Sequence, residues 1–155
     1  MEKSRRPKLL LLSGVNGVGK STLSMQIAES LKIKRVVSTD SIREVLRSNI
    51  DPLESPELHR SSFSIGKHKH PISDWEDCCN VVLEGINSII NKSRREGVDL
   101  ILEGVHLKPN NQIIRKWEEE GGVAIGIILY VHNEENHKEM LVLREKETWR
   151  NVDRY

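Results

Sequence analysis

The chain has 155 residues, with 24 Lys and Arg against 23 Asp and Glu and a formal net charge of +1. This length is enough for one domain with a buried core, residues 1–155, and the balanced charge excludes a general field that would attract nucleic acid or an anionic membrane. We expect a cytoplasmic protein, because the apolar stretches are shorter than a bilayer span and an apolar signal region is lacking. The two cysteines are adjacent and have no other partner, which predicts reduced thiols.

Apolar segments of strand length alternate along the chain with longer segments of helical period, which is typical of a parallel sheet covered on both faces. The predicted strands are KLLLLS, RVVST, DLILEG and VAIGIILYV, in chain order. Helices are predicted over residues 20–31, 41–49, 74–95, 110–120 and 134–149, the third of them beginning at a capping box of Ser73 and Glu76. The basic residues 1–7 are predicted to be a solvated tail. Residues 51–72, with three prolines, are predicted to be an irregular segment on the substrate side.

The first strand is followed by GVNGVGKS, residues 14–21, which matches the phosphate-loop pattern G-x-x-x-x-G-K-[ST] and opens the first helix. The glycines let successive backbone amides point at phosphate oxygens, Lys20 can reach the β and γ phosphates, and Ser21 can bind Mg²⁺. We therefore expect ATP and Mg²⁺ to be bound here, by Gly14, Asn16, Gly17, Val18, Gly19, Lys20, Ser21 and Thr22.

The second predicted strand leads into Asp40, with Arg43 one helical turn further on. Ligands of open parallel sheets bind outside the carboxyl ends of the strands, so Asp40 should lie on the same rim as the phosphate loop. A carboxylate there can accept the proton of an acceptor hydroxyl, and Arg43 can bind a substrate phosphate or carboxylate. The alternative is that Asp40 is a helix N-cap and Arg43 a surface residue.

The third predicted strand ends in Glu103, followed by His106 and Lys108. Phosphate-loop folds usually take a second metal-binding carboxylate from such a strand end, so we expect Glu103 to act on Mg²⁺. The alternative is that Glu103 caps the turn at Gly104. His106 and Lys108 are predicted to bind an anionic substrate, the alternative being a loop histidine and a solvated lysine.

The last predicted helix, within residues 133–150, lies where small phosphate-loop kinases carry a mobile lid. Arg144 and Arg150 on this helix can clamp the γ-phosphoryl group, although charged helices are also typical of plain solvated surface. The expected catalytic residues are thus Lys20, Asp40, Arg43 and Arg144. His68 and His70 lack a third ligand at a fixed spacing, so a zinc site is not expected.

Four motifs in this order, SGVNGVGKSTLS, VVSTDSIREVLR, LHRSSF and LILEGVHLKP, resemble the kinase domain of 2-phosphoglycerate kinases over residues 8–150. The resemblance implies transfer of the ATP γ-phosphoryl group to the 3-hydroxyl of 2-phosphoglycerate, giving 2,3-bisphosphoglycerate. Aspartate followed by arginine after the second strand also occurs in gluconate-kinase-like and zeta-toxin-like enzymes. Kinases of this fold continue into a fifth strand, so strand four is expected to be an edge of the sheet through which a homo-oligomer forms.

We therefore expect a three-layer α/β/α P-loop NTPase of the nucleoside-kinase type, with a parallel sheet of order 2-3-1-4. The predicted function is an ATP-dependent kinase of a small anionic metabolite, with neither nucleic acid nor membrane as partner. One alternative is the same fold with another acceptor: a sugar acid, a nucleotide-sugar or a polynucleotide end. The other is a nucleotide-binding regulatory module without turnover.

Overall fold

Four parallel strands form the central sheet of the computed structural model, which describes residues 5–60 and 66–147. The strands are β1 (Lys8–Gly14), β2 (Val36–Ser38), β3 (Leu100–Gly104) and β4 (Val123–Leu129). They lie in the order β2-β3-β1-β4, with every pairing parallel. The predicted α/β class and the predicted order 2-3-1-4 are confirmed.

The helices of the described ranges follow the strands in chain order. They are α1 (Lys20–Leu31), α2 (Thr39–Asn49), α3 (Pro56–His59), α4 (Pro71–Glu96), α5 (Gln112–Glu119) and α6 (Glu134–Glu147). None of these helices is both long enough and apolar enough to cross a membrane.

The core has two parts, one on each face of the sheet. On one face, Leu9 and Leu11 of β1 and Leu100 and Leu102 of β3 pack against α2, α4 and α5, through Ile42, Val82, Ile86, Ile90 and Trp117. On the other face, Leu10 and Ile101 pack against Ala28 of α1 and Ile33 beyond it. Burial on both faces explains why β1 and β3 have apolar runs without alternation.

The strand register aligns the carboxyl ends of β1, β2 and β3. Leu12 of β1 and Ser38 of β2 lie on either side of Glu103 in β3, and Ser13 lies beside Gly104. The loop after β1, the first turn of α2 and Glu103 consequently share one edge of the sheet. We call this edge, with residues 14–21, 39–43 and 103–108, the rim.

Helix α4 begins earlier than the sequence predicted. It starts at Pro71 with His70 as N-cap, and the amide of Asp74 already donates to the His70 carbonyl at 3.0 Å. Proline suits the first helical position because its φ is fixed and its missing N–H has no helical acceptor. The predicted capping box of Ser73 and Glu76 is therefore wrong.

Two segments predicted to be irregular are more ordered than expected. The short helix α3 forms within residues 51–72. Near the N-terminus, Arg5 pairs with the buried carboxylate of Asp99, and Arg6 donates to the carbonyl of Gly122 at 2.6 Å. Residues 5–7 are therefore attached to the start of the sheet rather than forming a solvated tail.

Strand β4 lies at one edge of the sheet, beside β1. Ile125 and Ile128 are 57% and 56% exposed, in contrast to the buried leucines of β1. Within the described residues no strand pairs with the outer side of β4, so the predicted edge position is confirmed.

Candidate active site

The phosphate loop is shaped by glycines with positive φ. Gly17 and Gly19 have φ of 81° and 84°, in the left-handed region that favours glycine. This conformation leads the chain directly into α1, whose N-cap is Gly19. The amides of a glycine-rich loop and of the helix N-terminus after it are suited to binding phosphate oxygens. The loop has the form that an anionic phosphate chain requires.

Lys20, the first residue of α1, is 7% exposed, and its Nζ donates to the Val15 carbonyl at 2.6 Å. Burial lowers the pKa of Lys20, the negative charges of Glu103 and Asp40 oppose this shift, and the positive charge of Arg144 adds to it. Charged side chains from β3, α2 and α6 thus influence the ammonium group of Lys20.

Ser21 and Glu103 are brought together across the rim. Ser21 Oγ donates to Glu103 Oε1 at 3.1 Å, and Glu103 is only 6% exposed. Mg²⁺ prefers oxygen ligands and is usually held by one or two protein groups together with waters and substrate phosphates. A hydroxyl and a carboxylate within 3.1 Å of each other fit that requirement. In the described part of the chain no cluster of three or more His, Cys, Asp and Glu side chains forms a denser metal site.

Asp40 lies in the first turn of α2 with its side chain 60% exposed. The N-cap of this helix is Ser38, whose Oγ accepts from the Asp40 amide at 3.2 Å. The alternative interpretation of Asp40 as the N-cap is therefore wrong. Its carboxylate is accessible at the rim, with Oδ1 at 3.6 Å from Nδ1 of His106.

His106 is placed beside Asp40, but in a different environment from the one expected. The ring is 4% exposed, and Nδ1 lies 3.0 Å from Oγ1 of Thr39. Burial lowers the pKa of His106 to about 4, against the influence of Asp40 and together with the positive charges of Arg43 and Lys20. A buried neutral imidazole contributes no positive charge, and the predicted binding of an anionic substrate by His106 stays a prediction.

The two other cations of the rim already have protein partners. Arg43 Nη2 donates to the Leu58 carbonyl at 2.7 Å and also to the Arg60 carbonyl. Lys108 Nζ donates to Oδ1 of Asn80 at 2.7 Å near the surface. Arg43 therefore joins α2 to the segment around α3, in addition to any contact with substrate.

Helix α6 lies across the phosphate loop. His137 Nε2 donates to the Asn16 carbonyl at 2.7 Å, and a Cβ on Gly17 would come within 2.5 Å of Leu141 Cδ2. Between helix and loop is a cavity of about 360 Å³, lined by Gly17, Gly19, Lys20, Ser21, Thr22, Met140, Leu143 and Arg144. Arg144 is thus placed against the phosphate loop, whereas Arg150 lies outside the described residues.

Sequence reasoning missed the pair of Arg60 and Asp74. The buried Asp74 carboxylate accepts from the amides of Gly66 and His68 at 2.8 and 3.0 Å, and Arg60 Nη2 donates to the Asp74 carbonyl at 2.7 Å. Together they fix the two ends of the segment between α3 and α4. The only available signal was an acidic residue on the buried face of a helix, which does not reveal its partners.

His68 and His70, the two histidines of the HKH segment, have different partners. His68 Nε2 lies 2.9 Å from Oδ2 of Asp77, and His70 is the N-cap of α4. The pairing with a carboxylate of α4 accounts for His68 without a metal ion.

The parallel sheet with a phosphate loop between β1 and α1 defines the chain as a P-loop nucleotide-binding domain of the α/β class. A family model described as an AAA domain matches residues 10–154, and the chain belongs to that family. It is similar to the 2-phosphoglycerate kinase of Methanocaldococcus jannaschii, with 35% identity over 162 residues that cover 100% of this chain and 52% of the relative. The 2-phosphoglycerate kinase of Pyrococcus horikoshii is 42% identical over 114 residues, which cover 69% of this chain and 38% of the relative.

These relatives confirm the resemblance to 2-phosphoglycerate kinases that the motifs predicted. The chain spans about half the length of these curated relatives or less. Among solved structures, a gluconokinase from Sinorhizobium meliloti 1021 has a TM-score of 0.54 at 16% identity, covering 96% of this chain and 70% of that one. At that identity the likeness concerns the fold.

Proposed function

We propose that this chain is the phosphoryl-transfer part of a kinase that uses ATP and Mg²⁺ and phosphorylates a hydroxyl of a small anionic metabolite. One observation carries the proposal: the phosphate loop with Lys20 and Ser21, the carboxylate of Glu103 bonded to Ser21, and Arg144 of α6 border the same site. A phosphate loop by itself binds a nucleotide. The exposed carboxylate of Asp40 on the same rim supplies the proton acceptor that a kinase needs.

The nucleotide phosphates would lie in the cavity between the phosphate loop and α6. Lys20 would exchange its bond with the Val15 carbonyl for the β and γ phosphates, because a phosphate oxygen is a stronger partner for an ammonium group than a neutral carbonyl. Arg144, which lines the cavity, would add a second positive charge beside the γ-phosphoryl group. Ser21 and Glu103 would hold Mg²⁺, which supplies charge neutralisation of the phosphates when bound.

In the transfer step, the bond between the γ-phosphorus and the bridging oxygen of ADP breaks as the acceptor oxygen bonds to phosphorus. The acceptor proton passes to Asp40. The exposure of Asp40 fits this role, because a proton acceptor must lie within hydrogen-bond distance of a hydroxyl that arrives from solvent.

The acceptor that the relatives favour is 2-phosphoglycerate, which would give 2,3-bisphosphoglycerate. Its phosphate and carboxylate require cations beside the reactive hydroxyl, and Arg43 and Lys108 are the rim residues that can supply them. Cys78 and Cys79 are buried free thiols, and burial raises the pKa of Cys79 to about 12, which keeps this thiol protonated and unreactive.

The test is ADP release from ATP and Mg²⁺ with 2-phosphoglycerate, 3-phosphoglycerate, glycerate or gluconate as acceptor. We expect the highest kcat/KM with 2-phosphoglycerate, and Lys20→Ala should lower it more than tenfold, about 1.4 kcal/mol of barrier. Lys92→Ala is the matched control, because Lys92 pairs with Glu96 on α4 and not with the rim.

The panel also separates the alternatives. A preference for gluconate would replace the acceptor and keep the kinase. Nucleotide binding without acceptor-dependent ADP release would identify a regulatory module and end the proposal.

A further inference from the structure

His106 lies between the ends of β2 and β3, where one ring nitrogen faces two consecutive residues of α2. Nδ1 is 3.0 Å from Oγ1 of Thr39 and 3.6 Å from Oδ1 of Asp40. The distance between Nδ1 and Oγ1 of Thr39 is that of a hydrogen bond. The second is slightly longer than one, so a small rotation of the exposed Asp40 side chain would bring its carboxylate within bonding distance.

The position of the ring depends on Thr39 and on the residues that place it. Thr39 is completely buried, and a Cβ on Gly104 would overlap its side chain, so glycine is required at the end of β3 for Thr39 to lie there. Ser38 fixes the backbone of Asp40 through its capping bond. The backbone of Asp40 is thereby held, while its carboxylate can still rotate.

The electrostatic surroundings keep the ring uncharged. Burial of the ring lowers the pKa of His106, the carboxylate of Asp40 opposes this shift, and the positive charges of Arg43 and Lys20 add to it. A neutral imidazole carries one N–H, on either Nδ1 or Nε2. With the proton on Nδ1, the ring can donate to Thr39 or to Asp40. With the proton on Nε2, Nδ1 can only accept from Thr39.

We propose that His106 is a positioning residue whose Nδ1–H donates to Oδ1 of Asp40, leaving Oδ2 to receive the proton of the acceptor hydroxyl. This inference rests on the proposed function, in which Asp40 is the proton acceptor. No proton leaves the ring in this role. The bond tightens when substrate binds, since catalytic hydrogen bonds are often long in the free enzyme.

The first test is the tautomer of His106 in the wild-type protein, which needs no turnover. A long-range ¹H–¹⁵N spectrum at pH 7 should show a protonated Nδ1 and an unprotonated Nε2, assigned by the loss of these signals in His106→Asn. An unprotonated Nδ1 would overturn the proposal, because the ring would then accept from Thr39 and could not donate to Asp40. This result stands whether or not the chain proves to be a kinase.

The second test separates positioning from substrate binding. His106→Leu should lower kcat for the best acceptor about a hundredfold, the size expected when a catalytic group is misplaced by 1 Å, and leave KM nearly unchanged. His106→Asn should recover part of the rate, because its amide can donate where Nδ1–H did. His68→Leu is the matched control: it removes a histidine paired with a different carboxylate, Asp77, and should leave kcat unchanged.

The third test asks whether His106 acts through Asp40. In the Asp40→Asn background, His106→Leu should cause almost no further loss of kcat, because residues that act as a unit are non-additive. Full additivity, or a rise in KM at constant kcat, would show that His106 contacts the substrate directly and overturn the inference. If the wild type shows no turnover with any acceptor, the proposed function is wrong. The spectrum that gives the tautomer of His106 would in that case still test whether the ring can donate to Asp40.

Discussion

Replacing Gly17 by alanine probes how closely α6 lies on the phosphate loop. Gly17 and Gly19 have nearly the same φ, 81° and 84°, but different surroundings. A Cβ on Gly17 would come within 2.5 Å of Leu141 Cδ2 and 3.0 Å of its Cγ, whereas a Cβ on Gly19 would meet nothing within 4 Å. Gly19→Ala is therefore a matched control that has the torsional cost without the steric one.

The expected magnitudes follow from these two terms. An alanine in the left-handed region costs roughly 1–2 kcal/mol, which should apply to both variants. Overpacking adds roughly 1–3 kcal/mol, and the low end applies to Gly17 because the obstructing atom is the end of a flexible leucine side chain. Gly17→Ala should therefore destabilise the protein by about 1 kcal/mol more than Gly19→Ala, or about 2–4 °C in Tm for a domain of this size.

The assay is urea unfolding without nucleotide, followed by circular dichroism, on both variants and on each combined with Leu141→Ala. Leu141→Ala should remove the extra cost of Gly17→Ala and have no such effect on Gly19→Ala. Equal destabilisation by the two glycine variants, with no rescue by Leu141→Ala, would refute the placement of α6 on the loop.

Three further predictions concern other parts of the molecule. Glu103→Gln should raise the Mg²⁺ concentration needed for half-maximal ADP release by about tenfold or more, the loss expected when a group that supports a metal site is removed. Glu84→Gln, on the exposed face of α4, is the control and should not change this concentration. An unchanged Mg²⁺ titration in Glu103→Gln would show that Glu103 does not belong to the metal site. The pKa of His106 is about 4 in the folded protein and about 6.5, the ordinary value for histidine, in the unfolded chain. The free energy of unfolding should therefore fall as the pH is lowered from about 6.5 to about 4, because only the unfolded chain protonates His106 in this range. Urea titrations at several pH values should show a flatter dependence for His106→Asn, and an equal slope would contradict the burial of an uncharged ring. Ile125→Lys on the exposed edge of β4 should abolish any concentration-dependent dimer seen by light scattering and leave Tm nearly unchanged; a dimer that persists in this variant must form elsewhere.

The sequence was sufficient to predict the sheet order and the main elements. The phosphate-loop motif marks where β1 meets α1, and apolar runs without alternation mark β1 and β3 as strands covered on both faces. These signals are local, since each lies within a single segment. The bond between Ser21 and Glu103 could be anticipated because the motif and the strand end meet at the same edge of a parallel sheet.

The environment of His106 could not be predicted in the same way. Its position after β3 indicated the rim, but its burial depends on Thr39, which is 67 residues away in sequence. The same limit applies to Asp74, which accepts a hydrogen bond from Arg60, a residue beyond the N-terminus of α4. Whether a polar side chain at a strand end faces solvent or the interior depends on such long-range packing, which no sequence period encodes.

The hydrogen bond between His137 and the Asn16 carbonyl couples the docking of α6 to the conformation of the phosphate loop. If a ligand at the loop changes the free energy of α6 docking, linkage requires that α6 docking changes the binding free energy of that ligand by the same coupling free energy. Substitutions on α6 that change its docking on the loop should therefore alter nucleotide affinity without touching the nucleotide. A probe attached to the exposed face of α6 would therefore report whether the phosphate site is occupied, although the probe itself lies away from that site.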